Sequence, residues 1–154
     1  MRLTLHTDYA LRTLIYVTVK NDRLVSIKEI SALYGISENH MVKVIHRLGK
    51  GGFLKTQRGH GGGIQLARPP EEICIGDVIR HTEEDLAVIA CMNKDSPVAN
   101  CLLSAGCVLK SSMFKAQEAF LSVFDKLSLS DIVTPFERLR IQKEEEKQNL
   151  KKSA

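Results

Sequence analysis

The sequence predicts a mainly α fold with a small β-hairpin wing: a winged helix-turn-helix followed by a long dimerisation helix. Three observations carry that prediction. Two short helical segments with their own start signals meet at a tight turn around Gly35. A glycine-rich hairpin follows at residues 53–67, and a broad amphipathic stretch begins near Leu109. At 154 residues with 44% hydrophobic and 26% charged side chains, the chain has enough apolar material for one core.

Thr7 or Asp8 is the expected cap of the first helix, in which Leu11, Leu14, Ile15 and Val19 recur at helical spacing. Ser26 and Glu29 have the spacing of a capping box, and Gly35 suits the left-handed position that ends a helix. Ser37 then caps a third helix that runs to about Gly49. The strands are expected at Phe53–Gln57 and Gly63–Ala67, joined by Arg58-Gly59-His60-Gly61-Gly62. Gly76–Thr82 reads as a short helix, and residues 83–107 as a loop. From Leu109 to Leu127, Met113, Phe114, Phe120, Val123, Phe124 and Leu127 form an apolar face too broad for one small module to cover. Dimerisation through this helix follows. The charged end, Glu137–Ala154, lacks a core stripe and reads as a solvated helix or a frayed tail. The implied domains are 1–70 for the winged helix-turn-helix, 71–135 for the loop and long helix, and 136–154 for the tail.

Charge is divided along the chain. Residues 1–70 carry eleven Lys or Arg against four Asp or Glu, whereas residues 71–107 carry two against seven. A basic first half suits a polyanion. On the third helix, Met41, Val44, Ile45 and Leu48 share one face, while Asn39, Lys43, His46 and Lys50 share the other, flanked by His40 and Arg47. One face docks and the other offers donors to a groove, where Asn pairs with adenine edges and Lys or Arg with guanine or phosphate. Arg58 and His60 sit on the hairpin loop, from which an Arg can enter a narrow minor groove. Double-stranded DNA is the expected partner. No apolar run is long enough for a membrane span, and no leader pattern is evident, so a cytoplasmic, non-membrane protein is expected. An enzyme is not expected, because no nucleophile–base pair or phosphate-cradling loop is present.

Cys91, Cys101 and Cys107 are spaced C-x9-C-x5-C just before the long helix. The spacing matches neither ferredoxin nor paired zinc knuckles, so metal ligands and ordinary free cysteines fit it about equally. Cys74, in Ile73-Cys74-Ile75, reads as a small core residue. His6 and His81 read as surface residues or ordinary hydrogen-bond partners.

Several short motifs together resemble the NsrR/RirA/IscR family of bacterial winged-helix iron–sulfur repressors. They are Met1-Arg2-Leu3-Thr4, Thr7-Asp8-Tyr9-Ala10-Leu11-Arg12, Tyr34-Gly35-Ile36-Ser37, the loop 58–63 with Ile64-Gln65-Leu66-Ala67, and Ile75-Gly76-Asp77-Val78. Asn39-His40-Met41-Val42-Lys43 most resembles the nitric-oxide-sensing NsrR branch. The resemblance covers roughly residues 1–135 and implies a homodimeric repressor. It implies that Cys91, Cys101 and Cys107 hold an iron–sulfur cluster, with Asp8 of the opposite subunit as fourth ligand and Ser37, Asn39 and Arg58 at DNA. A [4Fe–4S] cluster is expected, with [2Fe–2S] the alternative; Lys110 stands where His-ligated members carry their histidine. A carboxylate among thiolates is the more exchangeable ligand, which suits nitric oxide as the signal. Two alternatives remain: an iron-responsive, RirA-like repressor, and a zinc- or thiol-based DNA-binding regulator.

Overall fold

Thr4, rather than Thr7 or Asp8, starts the first helix. In the computed structural model its side chain accepts a hydrogen bond from the Thr7 amide, and α1 runs Leu5–Val19. The structure describes residues 2–93, 95–96, 101–103 and 106–153, with only the backbone at 152 and 153. Thr7 is unavailable as a cap because its hydroxyl points inward and donates to Thr82 Oγ1 at 2.9 Å. Leu14 is fully buried as expected, but Leu11, Ile15 and Val19 are only half-buried. Their place in the core is taken by Ala10, Thr13, Tyr16 and Val17. Burying threonine is tolerable here because Thr13 and Thr18 donate to the carbonyls of Tyr9 and Leu14 one turn back, both at 2.7 Å.

Helix α2, Ile27–Tyr34, has the full capping box: Ser26 Oγ accepts from the Glu29 amide, and the Glu29 carboxylate accepts from the Ser26 amide. Gly35 ends it at φ +64°, a left-handed conformation that favours glycine. Ser37 caps α3, Glu38–Lys50, which buries Met41, Val44, Ile45 and Leu48 as its pattern predicts. Strands β1 (Leu54–Gln57) and β2 (Gly63–Leu66) form an antiparallel hairpin with Leu54 opposite Leu66 and Gln57 opposite Gly63. Val25, ahead of α2, adds a backbone bridge to Ile64 and ties the hairpin to the helices.

A 3₁₀ turn at Pro70–Glu72 leads to α4, Ile75–Thr82, and a second at Ala90–Met92 lies in the loop before α5, Val108–Phe124. The segment after α5 returns to the start of α4, with the Ile75 amide donating to Leu127 and the Leu129 amide donating to Ile73. Arg80 and Asp125 add a two-pronged ion pair. Of the apolar residues on α5 only Leu121 is buried, and Val108, Leu109, Phe114 and Val123 stand exposed. Of the six residues expected on its apolar face, Phe114 and Val123 are left uncovered by this chain, while Phe120, Phe124 and Leu127 pack against the core.

Residues 135–153 are helical, and most of those up to 151 are exposed, as in a solvated helix, but the helix is docked and not frayed. They form α6, Pro135–Ser153, which lies against α1 and α2. Its attachment is mostly polar, which is why no apolar stripe announces it. Ile141 is buried, Glu145 accepts from Tyr16 Oη and Lys20 Nζ at 2.7 Å each, and Gln148 donates to the Ala32 carbonyl. No described helix is long and apolar enough to cross a membrane.

Candidate nucleic-acid interface and cysteine loop

The exposed face of α3 carries the donors that the sequence places there. Ser37, Asn39, His40, Lys43, His46 and Lys50 are all exposed, opposite the buried stripe. Ser37 Oγ accepts from the His40 amide, so the cap also orients the first turn. Arg58 and His60 are exposed on the β1–β2 loop. Arg47 stands apart from this group. It is half-buried, and its Nε donates to the His81 carbonyl at 2.7 Å, so it joins α3 to α4.

Lys43, His46, Arg47 and Lys50 form one wall of a cleft of about 630 Å3, and Thr4, His6 and the acidic run Glu83–Asp85 form the other. Basic and acidic walls therefore face each other where α1, α3 and the end of α4 meet. Burial pushes His6 below the usual histidine range, and the nearby Arg47 guanidinium adds to that while Glu83 and Glu84 oppose it. Glu83 is buried but paired, accepting from the Thr4 amide at 2.8 Å and the Thr4 hydroxyl at 3.1 Å. Sequence reasoning missed Thr4 and Glu83, since an acid in the run Glu83-Glu84-Asp85 reads as solvated surface. His81 is the hydrogen-bond partner expected of it.

The cysteine loop leaves directly from this junction. Asp85 organises its start, accepting from the Ala87 amide and from Asn93 Nδ2, both at 2.7 Å. Cys91 lies in the 3₁₀ turn Ala90–Met92, which packs on α5. Cys107 is the N-cap of α5, and its Sγ accepts from the Lys110 amide at 3.4 Å. Cys91, Cys101 and Cys107 are free and half-buried. Cys74 is also half-buried rather than sealed in the core: it starts α4, with its thiol beside the carbonyls of Phe124 and Asp125. Asp8 lies in the first turn of α1, partly exposed and paired with Arg12 at 2.9 Å, as an acid at a helix start should be.

The profile of the Rrf2 family, described as an iron-dependent transcriptional regulator, matches residues 3–135. The chain belongs to the Rrf2 family. It is similar to the HTH-type transcriptional regulator NsrR of Bacillus licheniformis, with 47% identity over 141 residues, 91% of this chain and 97% of that one. NsrR of Bacillus subtilis is 44% identical over 134 residues, covering 86% and 90% of the two chains. Among solved structures, IscR of T. potens has a TM-score of 0.68 at 27% identity, over 86% of each chain. CymR, the global cysteine regulator of B. subtilis, has a TM-score of 0.66 at 24% identity, over 86% of this chain and 96% of that one, a likeness of fold. This Rrf2 protein is thus an NsrR-like, winged-helix DNA-binding transcriptional regulator, and not an enzyme. The Rrf2 match stops at residue 135, so nearly all of α6 lies beyond it.

The donor set of this Rrf2 chain fits an iron–sulfur cluster in kind. Three reduced, half-buried thiols lie in one segment, and Cys107 Sγ sits at the first turn of α5, where it accepts from the Lys110 amide. Among the described residues, no three His, Cys, Asp or Glu side chains already converge as a metal site. Thiolate ligands carried on a loop are ordinarily gathered by the metal itself. Lys94, residues 97–100, Ser104 and Ala105 lie outside the described residues, within the same loop.

Proposed function

We propose that this protein is a dimeric repressor that senses nitric oxide through a [4Fe–4S] cluster held by Cys91, Cys101, Cys107 and Asp8 of the partner subunit. The observation that carries this reading is the position of Cys107. It caps α5, the helix whose exposed Phe114 and Val123 call for a second copy, so a thiol ligand and the dimer seam share one helix. The likeness to NsrR proteins supports nitric oxide as the signal.

When bound, the cluster supplies iron that a diffusible ligand such as nitric oxide can attack. The chain's own residues do the rest. Asp8 can release Arg12 at small cost, because exposed pairs of this kind are worth about 0–1 kcal/mol. A carboxylate contributed across the dimer would then tie the start of one α1 to the loop of its partner. Asn39, Lys43 and His46 face the major groove, Ser37 and His40 fix the entry of α3, and Arg58 and His60 reach the adjacent backbone or minor groove. Two such helices must be held about 34 Å apart to enter successive major grooves. Releasing the Asp8 tie would shift the population toward a spacing that fits less well.

Iron and acid-labile sulfide per subunit, with the visible spectrum, test this on protein purified without oxygen. Four of each, with a brown absorbance that collapses on adding nitric oxide, is the expected result. Two of each would replace the [4Fe–4S] assignment with [2Fe–2S]. A colourless protein that takes up no cluster on reconstitution would overturn the iron–sulfur reading in favour of zinc or thiol chemistry. Asp8→Ala should keep the fold but alter the nitric oxide response; an unchanged response would remove the cross-subunit ligand. The family's iron-dependent description favours one second reading, a repressor responding to iron status, in which chelation and not nitric oxide releases DNA.

A further inference from the structure

Residues 81–83 end α4 and open into the cysteine loop, and each of the three bonds a different part of the DNA-binding unit. Thr82 Oγ1 accepts from Thr7 inside α1, and Glu83 accepts from Thr4 at its cap. His81 engages the recognition helix. Arg47 Nε donates to the His81 carbonyl at 2.7 Å, and His81 Nε2 lies 2.7 Å from the Arg47 carbonyl. A carbonyl oxygen only accepts, so Nε2 carries the proton and donates. The two residues therefore clasp each other's backbone, side chain to main chain in both directions.

The imidazole is closely seated. Its ring meets Phe53 edge-on with centroids 5.6 Å apart. Gly51 forms the floor, where a Cβ would stand 2.7 Å from the imidazole and 2.6 Å from Phe53. The Arg47 carbonyl that His81 reaches belongs to the last turn of α3 and also accepts the Gly51 amide. Last-turn carbonyls lack a full set of partners within their own helix, so a donor from outside fixes that end. On the loop side, Asp85 holds Asn93, which directly follows the turn that contains Cys91. The path from the Cys91 turn through Asn93 and Asp85 to His81 is short and hydrogen-bonded at each non-covalent step.

We infer that His81 is the positioning residue through which the state of the cysteine loop sets the orientation of the recognition helix. It clasps Arg47 and has no need to touch DNA. This rests on the functional reading above and deepens it: that reading says which residues sense and which bind, and His81 connects them. A clasp at one end of α3 tilts the whole donor face, since Lys43 and His46 lie within the same rigid helix.

His81→Phe keeps an aromatic ring against Phe53 and removes the donor; His81→Gln keeps a donor and removes the ring. The probe is a DNA duplex selected by the wild-type protein from a random-sequence pool, titrated with cluster-loaded and cluster-free dimer. Wild type should bind at least about tenfold more tightly when loaded, within the usual range of coupling between sites. His81→Phe should take up the same iron and sulfide, yet lose most of that ratio, with little change in the cluster-free affinity; His81→Gln should restore part of it. Amide hydrogen exchange without DNA supplies an independent readout. Loading should slow exchange at residues 47–51 in wild type and not in His81→Phe. A wild-type ratio in His81→Phe would overturn the inference, as would an equal loss of affinity in both states, which marks a merely structural role. If His81→Phe does not fold, Gly51→Ala displaces the ring from the other side and must give the same loss of ratio. No difference between loaded and cluster-free wild type would overturn the functional reading itself, and the relay with it.

Discussion

Tyr16 and Glu145 stand 129 positions apart in sequence and share a 2.7 Å hydrogen bond, the phenol donating to Oε1. The other carboxylate oxygen accepts from Lys20 Nζ at 2.7 Å, so one side chain on α6 holds two on α1. Burial, reinforced by the bond to Glu145, pushes the Tyr16 phenol far above its usual value. Tyr16→Phe removes one hydrogen bond to a charged acceptor and leaves Lys20 in place. It should lower stability by about 1–2 kcal/mol, read as a shift in the urea midpoint with an unchanged slope. An unaltered midpoint would mean that α6 is not docked in solution.

The capping box of α2 makes a pH-dependent contribution. Burial tends to raise the Glu29 carboxyl, but its hydrogen bonds from Arg23 and Ser26 outweigh this and hold it below the ordinary value of 4.5. A carboxylate lowered in the folded state stabilises above its unfolded pKa and loses that contribution as pH falls through the folded one. Glu29→Gln should therefore lower Tm at neutral pH. The gap to wild type should begin to narrow as pH drops below about 4.5 and close further down. A gap that is constant across this range would place the effect in packing and not in charge.

Salt dependence separates groove readers from residues that only meet phosphate. Each phosphate neutralised contributes a slope of about −0.9 in log affinity against log salt. Lys43→Ala in a dimer removes two cations and should flatten that slope by about two if both meet phosphate. Arg58→Ala should weaken binding most on duplexes with narrow, A/T-rich minor grooves beside the half-site. A slope identical to wild type in both variants would contradict the proposed interface.

The uncovered face of α5 makes a separate prediction. Phe114 is 42% exposed and Val123 59% exposed in the single chain. Phe114→Glu should convert a dimer to a monomer in sedimentation analysis while leaving the helical circular dichroism intact. A variant that remains dimeric would move the seam to another surface.

Local chemistry made much of this fold legible in the sequence. The Ser26–Glu29 box, the Gly35 stop, the Ser37 cap and the two faces of α3 each depend on residues within a few positions of one another. The hairpin was legible for the same reason, since its register follows from a short glycine-rich loop. The start of α1 is not legible, because Thr7 looks like a cap until its hydroxyl is given to Thr82, 75 positions away. The docking of the tail is not legible in the sequence, because a helix held through Glu145, Gln148 and a single buried isoleucine carries no apolar period.

The sequence by itself determined the recognition helix, the wing and the cysteine-bearing loop, because capping, periodicity and turn chemistry act over one or two helical turns. Only the tertiary structure decided that His81 clasps Arg47, that Glu83 latches Thr4 and that α6 returns to Tyr16. Each of those contacts satisfies a polar group with a partner far along the chain, and polar side chains look alike in sequence whether they meet water or one another.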